Sequence, residues 1–248
     1  MGARARPPVA REGVTSVFDM TARDEMLKGV AARIAKLERA HTVRVAIDGV
    51  DAAGKTTLAD ELADRLRALG RPVIRSGIDH FHNPRVVRYA KGSESPEGYY
   101  RDSHDLDRVI GVLLRPLGTG GRGHYRAALF DHRRDVPVDS PEIKAEPRAI
   151  LLFDGIFLLR PELRPYWDYS IFARAGFEVV LARSLRRDLP IGSDPAKLVQ
   201  RYRARYLPAQ QYYLEECKPE SLADLVIDNN DPANPSIIGQ GASSLTRT

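Results

Sequence analysis

Gly49-Val50-Asp51-Ala52-Ala53-Gly54-Lys55-Thr56-Thr57 fits the pattern G-x-x-x-x-G-K-[ST], and the chemistry of that pattern is the gripping of a polyphosphate. Gly49 and Gly54 let the backbone close on the phosphates. The amides of Asp51, Ala52 and Ala53, and the positive start of the following helix, then face negative charge. Lys55 suits the β- and γ-phosphates, Thr56 offers a hydroxyl to a bridging Mg²⁺, and Thr57 places a second hydroxyl near the α-phosphate. Asp79 and Asp154 each come just after a run that reads as a strand. Asp79 is the residue to orient and deprotonate an acceptor hydroxyl, and Asp154 is the one to serve the metal with Thr56.

These residues need a frame. Val43 to Ile47 is a β-branched run, and Leu58 to Leu66 carries apolar residues at helical spacing before Gly70; strand, glycine loop and helix therefore follow in the required order. Further strands are expected at Pro72–Ser76, Arg148–Phe153, Tyr169–Ala173 and Leu222–Asp228. Helices are expected from Thr21, whose capping partner is Asp24, to His41; over Asp105–Leu114; over Phe177–Asp188; and from the Asp194-Pro195 cap to a kink or stop at Pro208. The alternation implies an α/β fold, a three-layer α/β/α arrangement around an open, mostly parallel sheet, with ligands outside the carboxyl ends of its strands. Residues 1–20 read as peripheral or disordered, 21–230 as the catalytic domain and 231–248 as a C-terminal tail. The stretch of about 80–147 holds five of the six histidines and only one clear helix. Insertions of that length usually do something, so the acceptor is expected there.

The chain has 248 residues, 43% of them hydrophobic, and a net charge of +5. That length suits one such domain, and no apolar run is long enough to span a membrane. The positive charge is interleaved with acids except at Arg183, Arg186 and Arg187 and at Arg201, Arg203 and Arg205. Without a nucleic-acid-binding motif beside it, it favours a small polyanionic ligand over a nucleic acid. The single cysteine, Cys217, and the lack of a secretory signal suit a cytoplasmic setting. The sequence leaves a homo-oligomer open.

Together the glycine loop, Asp79-His80-Phe81-His82, Leu152-Phe153-Asp154-Gly155-Ile156, Arg183–Asp188, Tyr202–Pro208 and Ala223–Asn229 resemble the uridine kinase-like family of P-loop kinases, relatives of phosphoribulokinase, over roughly Val43 to Asn229. The resemblance implies transfer of the γ-phosphate of ATP (or GTP), with Mg²⁺, to the 5′-hydroxyl of uridine or cytidine. It makes Asp79, Lys55, Arg183 and Arg187 catalytic. It also places the acceptor among His82, the Tyr99–Asp102 segment with Tyr100 and Asp102, and the Phe130–His132 segment with Asp131 and His132. The chain departs from the family pattern where relatives carry further arginines and it has Ser184 and Ser193, and at Arg201, where relatives often have Gln. Another small alcohol or nucleotide acceptor is the alternative within kinases. Outside them, a nucleotide-dependent switch or a nucleic-acid-associated NTPase competes, although the N-K-x-D base-reading motif of GTPase switches is absent.

Overall fold

The computed structural model describes residues 21–189 and 194–241. Ser193 and the N-terminal segment 1–20 therefore lie outside the described residues. Helix α1 (Ala22–Ala35) opens at Thr21, whose hydroxyl accepts the Asp24 N–H at 3.3 Å, and turns Leu27, Val30, Ala31 and Ile34 inward. Strand β1 (Val43–Gly49) is buried along its whole length. Val43, Val45 and Ile47 pack with α1 and α2 (Lys55–Ala68), while Ala46 joins the core on the other face of the sheet. Such burial on both faces is what a central parallel strand requires, with the buried charges of Arg44 and Asp48 interrupting the apolar run.

Strand β2 (Val73–Gly77) leads into a 3₁₀ turn, Ile78–Phe81. The long insertion is more structured than its sequence suggests. It contains α3 (Arg85–Arg88), α4 (Pro96–Asp102) and α5 (Leu106–Val109), which continues as a π-helical turn over Ile110–Leu114. Helix α4 has a signal that the reading missed: Ser95 accepts the Gly98 N–H at 3.0 Å and Pro96 sits in the first turn. Two short antiparallel ribbons follow, β3 (His124–Tyr125) with β6 (Ile143–Lys144) and β4 (Phe130–Asp131) with β5 (Val136–Pro137). Strands of two residues carry no periodicity to detect.

The chain then returns to the sheet as β7 (Ile150–Asp154) and β8 (Tyr169–Arg174). Helix α6 (Phe177–Asp188) matches its expected span, and α7 (Pro195–Arg201) is capped by Asp194, which accepts the Ala196 N–H at 2.9 Å. Pro208 does not end the helix. A π-helical turn at Tyr202–Tyr206 absorbs its missing N–H, and α8 (Leu207–Cys217) runs on until Lys218 takes a left-handed conformation. After α9 (Pro219–Leu222) come β9 (Leu225–Asp228) and β10 (Ser236–Gln240). Part of the segment read as a tail is thus an edge strand, antiparallel to β9.

Among the described residues the main sheet has the order β10-β9-β8-β1-β7-β2, parallel except for β10. The mostly parallel α/β architecture is as expected. Register sets the functional end: Asp154 is level with Ile47 on one side and with Gly77 on the other. The glycine loop, the end of β7 and the turn after β2 consequently emerge at one edge.

Beneath that edge Asp48 is fully buried. Its carboxylate accepts the Gly49 N–H at 2.8 Å, the Leu159 N–H at 3.3 Å and the Tyr213 hydroxyl. Burial outweighs those donors and pushes its pKa from near 3.8 up to about 6. Because the folded value lies above the unfolded one, this group favours folding most below pH 3.8, and its contribution is lost as pH rises through about 6. A carboxyl-detected NMR titration should give Asp48 a midpoint near 6 and a higher one in Tyr213→Phe, where the charged form loses a donor. A midpoint in the ordinary carboxylate range would refute this reading.

Candidate active site

The glycine loop owes its path to two positions. Gly49 has φ +151°, and a Cβ there would lie 2.4 Å from the Ala173 carbonyl oxygen of β8; Gly54 has φ +87°, and a Cβ there would lie 2.6 Å from Asn229 Nδ2. Side chains are excluded at both by neighbouring atoms as well as by backbone conformation. Gly54 is the N-cap of α2 and supplies no side chain, and the first turn holds no acid. The opening amides of α2 are therefore left to an external anion.

A cavity of about 530 Å³ lies in front of this turn. Asp51, Ala52, Gly54, Lys55, Thr56 and Thr57 line it from the loop side, while Gly49 and Ala53 lie buried beneath. Asp79, Asp154, Arg183 and Arg187 line the same cavity, so both aspartates face the loop across one crevice. The Thr56 hydroxyl donates to Asp154 Oδ2 at 2.6 Å. Two hard oxygen donors this close, at the mouth of a phosphate loop, fit the needs of Mg²⁺. The Asp79 side chain, at the start of the turn after β2, is 64% exposed and so reachable by a second substrate.

Lys55 is buried, and its ammonium donates to the Val50 carbonyl at 2.7 Å. Burial lowers its pKa, opposed by the carboxylates of Asp51, Asp48, Asp154 and Asp79. Asp51 joins the loop to the helices above it: its Oδ2 accepts from the Tyr202 hydroxyl at 2.9 Å and its Oδ1 lies 3.4 Å from Arg187 Nη1. Burial pushes Asp51 up, but Arg187, Lys55 and Tyr202 outweigh it and hold the carboxyl below its usual value. Asp188 raises the Arg187 pKa, against burial and with help from Asp51. Arg183 donates to the carbonyls of Asn229 and Asn230 at 2.9 Å, stitching α6 to the exit of β9. Ser184 is fully buried, so no arginine fits at that departure from the family pattern.

The residues read as acceptor ligands divide. Tyr100 is buried in the core, its hydroxyl 3.6 Å from Cys217 Sγ and its ring under the Arg160 guanidinium at 4.5 Å. It is the neighbouring Tyr99 that lines the cavity. Asp102 is paired with Lys91 at 3.2 Å, and Asp131 accepts the N–H groups of Arg133 and Arg134 at 3.0 and 3.1 Å. His132 stacks on His82 with ring centroids 4.9 Å apart, and His82 Nδ1 lies 3.9 Å from the Asp79 carboxylate. None of these five lines the phosphate cavity itself.

Three supporting residues escaped sequence reasoning. Arg75, in β2, donates to Asp154 Oδ1 at 3.0 Å and to the Leu152 carbonyl at 2.8 Å, which leaves Oδ2 for Thr56. Gln210, in α8, accepts the Asp51 N–H. Asn229 is buried and donates from Nδ2 to the Ala53 carbonyl at 2.6 Å. An arginine directly after the apolar pair Val73-Ile74 in β2 was the one available signal; the other two depend on the tertiary fold. Of the arginines read as polyanion ligands, Arg205 is fully buried and donates to the carbonyls of Arg88, Gly92 and Ser95. Asn229→Ala should strip the loop of a buried bond worth about 1–3 kcal/mol and weaken ATP binding by about tenfold while leaving the fold intact. Calorimetry would show this, and an unchanged affinity would mean that Asn229 does not shape the loop.

Comparison with known proteins agrees with this geometry. Residues 44–232 match the model of the phosphoribulokinase/uridine kinase family. A uridine kinase of Shewanella sp. (strain ANA-3) is 24% identical over 201 residues, covering 75% of this chain and 86% of that protein. Among solved structures, a possible uridine kinase from Bacillus stearothermophilus superposes with a TM-score of 0.65 at 25% identity, covering 82% of this chain and 97% of that one. A proposed kinase of a fructose transport system from Silicibacter sp. TM1040 does so with the same TM-score and identity, covering 79% and 95%. The chain belongs to the phosphoribulokinase/uridine kinase family and is an ATP-dependent phosphotransferase with an alcohol group as acceptor.

Proposed function

We propose that the chain is a nucleoside kinase that passes the γ-phosphate of ATP, or of GTP, to the 5′-hydroxyl of uridine or cytidine. The observation that carries the reading is the shared crevice, where Asp79 faces the opening amides of α2 beside the Thr56–Asp154 pair. Its relatives include a uridine kinase. The triphosphate lies along residues 51–57. Thr56 and Asp154 would hold a Mg²⁺, which would supply charge neutralisation for the transferring phosphates. Asp79 orients the acceptor hydroxyl and takes its proton, and Arg183 and Arg187 meet the charge that grows on the transferring group. Tyr99 supplies an aromatic wall on the acceptor side, with its ring against Tyr206 at 4.7 Å.

A sugar hydroxyl as acceptor is the second reading, favoured by the likeness to the proposed kinase of a fructose transport system. Both readings share the chemistry of Asp79 and differ only in what lies beyond the hydroxyl.

Incubation with MgATP and a panel of nucleosides and sugars, read by mass spectrometry, should yield uridine and cytidine 5′-monophosphates; product from the sugars alone would move the assignment to the second reading. Asp79→Asn should lower kcat by about 10²–10⁴-fold and change ATP affinity by less than about threefold, because the group acts on the acceptor. Loss of ATP binding in that variant would show that Asp79 belongs to the phosphate site instead.

A further inference from the structure

Next to the phosphate cavity lies a group of side chains that the transfer chemistry does not require as a set. His82 and His104 are 22 positions apart yet form an antiparallel backbone bridge. The Asn83 N–H donates to the Ser103 carbonyl at 2.9 Å and the Asp105 N–H to the Phe81 carbonyl at 2.8 Å, which fixes the two strands side by side. Their rings lie 4.5 Å apart. His104 is only 5% exposed, and its Nε2 has no hydrogen-bond partner among the described residues. A buried imidazole nitrogen left without a partner is destabilising unless something outside the protein binds it.

One ring nitrogen from each histidine and one carboxylate oxygen of Asp79 all lie within 4.8 Å of one another. We propose that Asp79, His82 and His104 form a binding site for a first-row divalent transition metal such as Zn²⁺, separate from the Mg²⁺ position at Thr56 and Asp154. Two imidazoles and one carboxylate are the donor set such ions prefer, with at least one coordination position left open, whereas Mg²⁺ prefers oxygen alone. Bonds of about 2.0–2.1 Å bring the donor atoms closer together than they are here. The backbone bridge holds the histidines, and the exposed Asp79 side chain is free to swing in. His132, stacked on the outer ring, screens His82 from solvent. His80 takes no part: the ligands beside His82 come from the start of the turn after β2 and from the segment beyond the C-terminal end of α4.

Occupancy has a consequence that rests on the kinase reading. A carboxylate bound to metal no longer accepts a proton from the acceptor alcohol, so the ion acts as a brake on transfer without touching the nucleotide.

The test uses metal-free full-length protein without nucleotide, titrated with Zn²⁺ against a chromophoric chelator and with Co²⁺ by visible absorption. We expect one equivalent bound, at least tenfold weaker binding in His82→Ala and in His104→Gln, and unchanged Zn²⁺ affinity in Thr56→Ala and Cys217→Ser. Circular dichroism would confirm that each variant is folded, and His82, the less buried ring, gives a variant that tolerates substitution. Equal Zn²⁺ affinity in wild type and both histidine variants would overturn the site, as would loss of binding in Thr56→Ala or Cys217→Ser. In turnover at saturating MgATP, Zn²⁺ should inhibit the wild type and not His104→Gln. Stoichiometric binding at the histidines without inhibition would overturn the part played by Asp79 while leaving the phosphotransferase reading as it stood.

Discussion

Helix α2 begins with no side chain on its N-cap and no acid in its first turn, so no capping side chain among the described residues meets the partial positive charge of its end. That unsatisfied end is the constraint on which the site depends. A cap would stabilise the helix by about 1 kcal/mol, and the chain forgoes it. The glycines at either end of the loop fix its path, because β8 and Asn229 leave no space for a Cβ at either position, while the Asp51, Ala52 and Ala53 amides already donate to Gln210, to the Asp51 carboxylate and to the Val50 carbonyl. The rest of the crevice gathers at this end of the helix. Thr56 follows the glycine on the same turn, Asp154 reaches it from the neighbouring strand, and Arg75 turns the free edge of that carboxylate toward the threonine.

The sheet converts this local requirement into a site. With β1 between β7 and β8 and all three parallel, the loop after β1 and the acid ending β7 must emerge together, and the turn after β2 must emerge one strand further out. Helices α6 to α8 then close over the loop through contacts that converge on Asp51: the Tyr202 hydroxyl, the Arg187 guanidinium and the Gln210 side chain all reach it. Asp51 is thereby the joint between the phosphate loop and the helices above it, a role that its place among the variable positions of the motif does not suggest.

The parts of this molecule that were legible in the sequence are those encoded locally. The β-branched run of β1, the apolar run of β7, the Asp194-Pro195 cap and the glycine loop announce themselves within a few residues, and the structure keeps all of them. Asp79 and Asp154 could be placed because each ends a strand, and strand ends in a parallel sheet share an edge. The acceptor side was not encoded in this way. Tyr99 and Tyr100 are adjacent, and which of them faces the cavity is decided by how α4 packs on Phe157 and Tyr213. The pairing of His82 with His104 depends on a single backbone bridge, and β10 depends on β9 to give an exposed run of residues a partner.

On this reading Thr56 and Asp154 hold a metal against phosphates gripped by the start of α2. Equilibrium binding of ATP with and without Mg²⁺ tests it most directly, in the wild type and in Thr56→Val, which keeps the shape and removes the hydroxyl. Mg²⁺ should strengthen ATP binding by at least tenfold in the wild type, and most of this gain should disappear in the variant. An equal gain in both proteins would place the metal elsewhere.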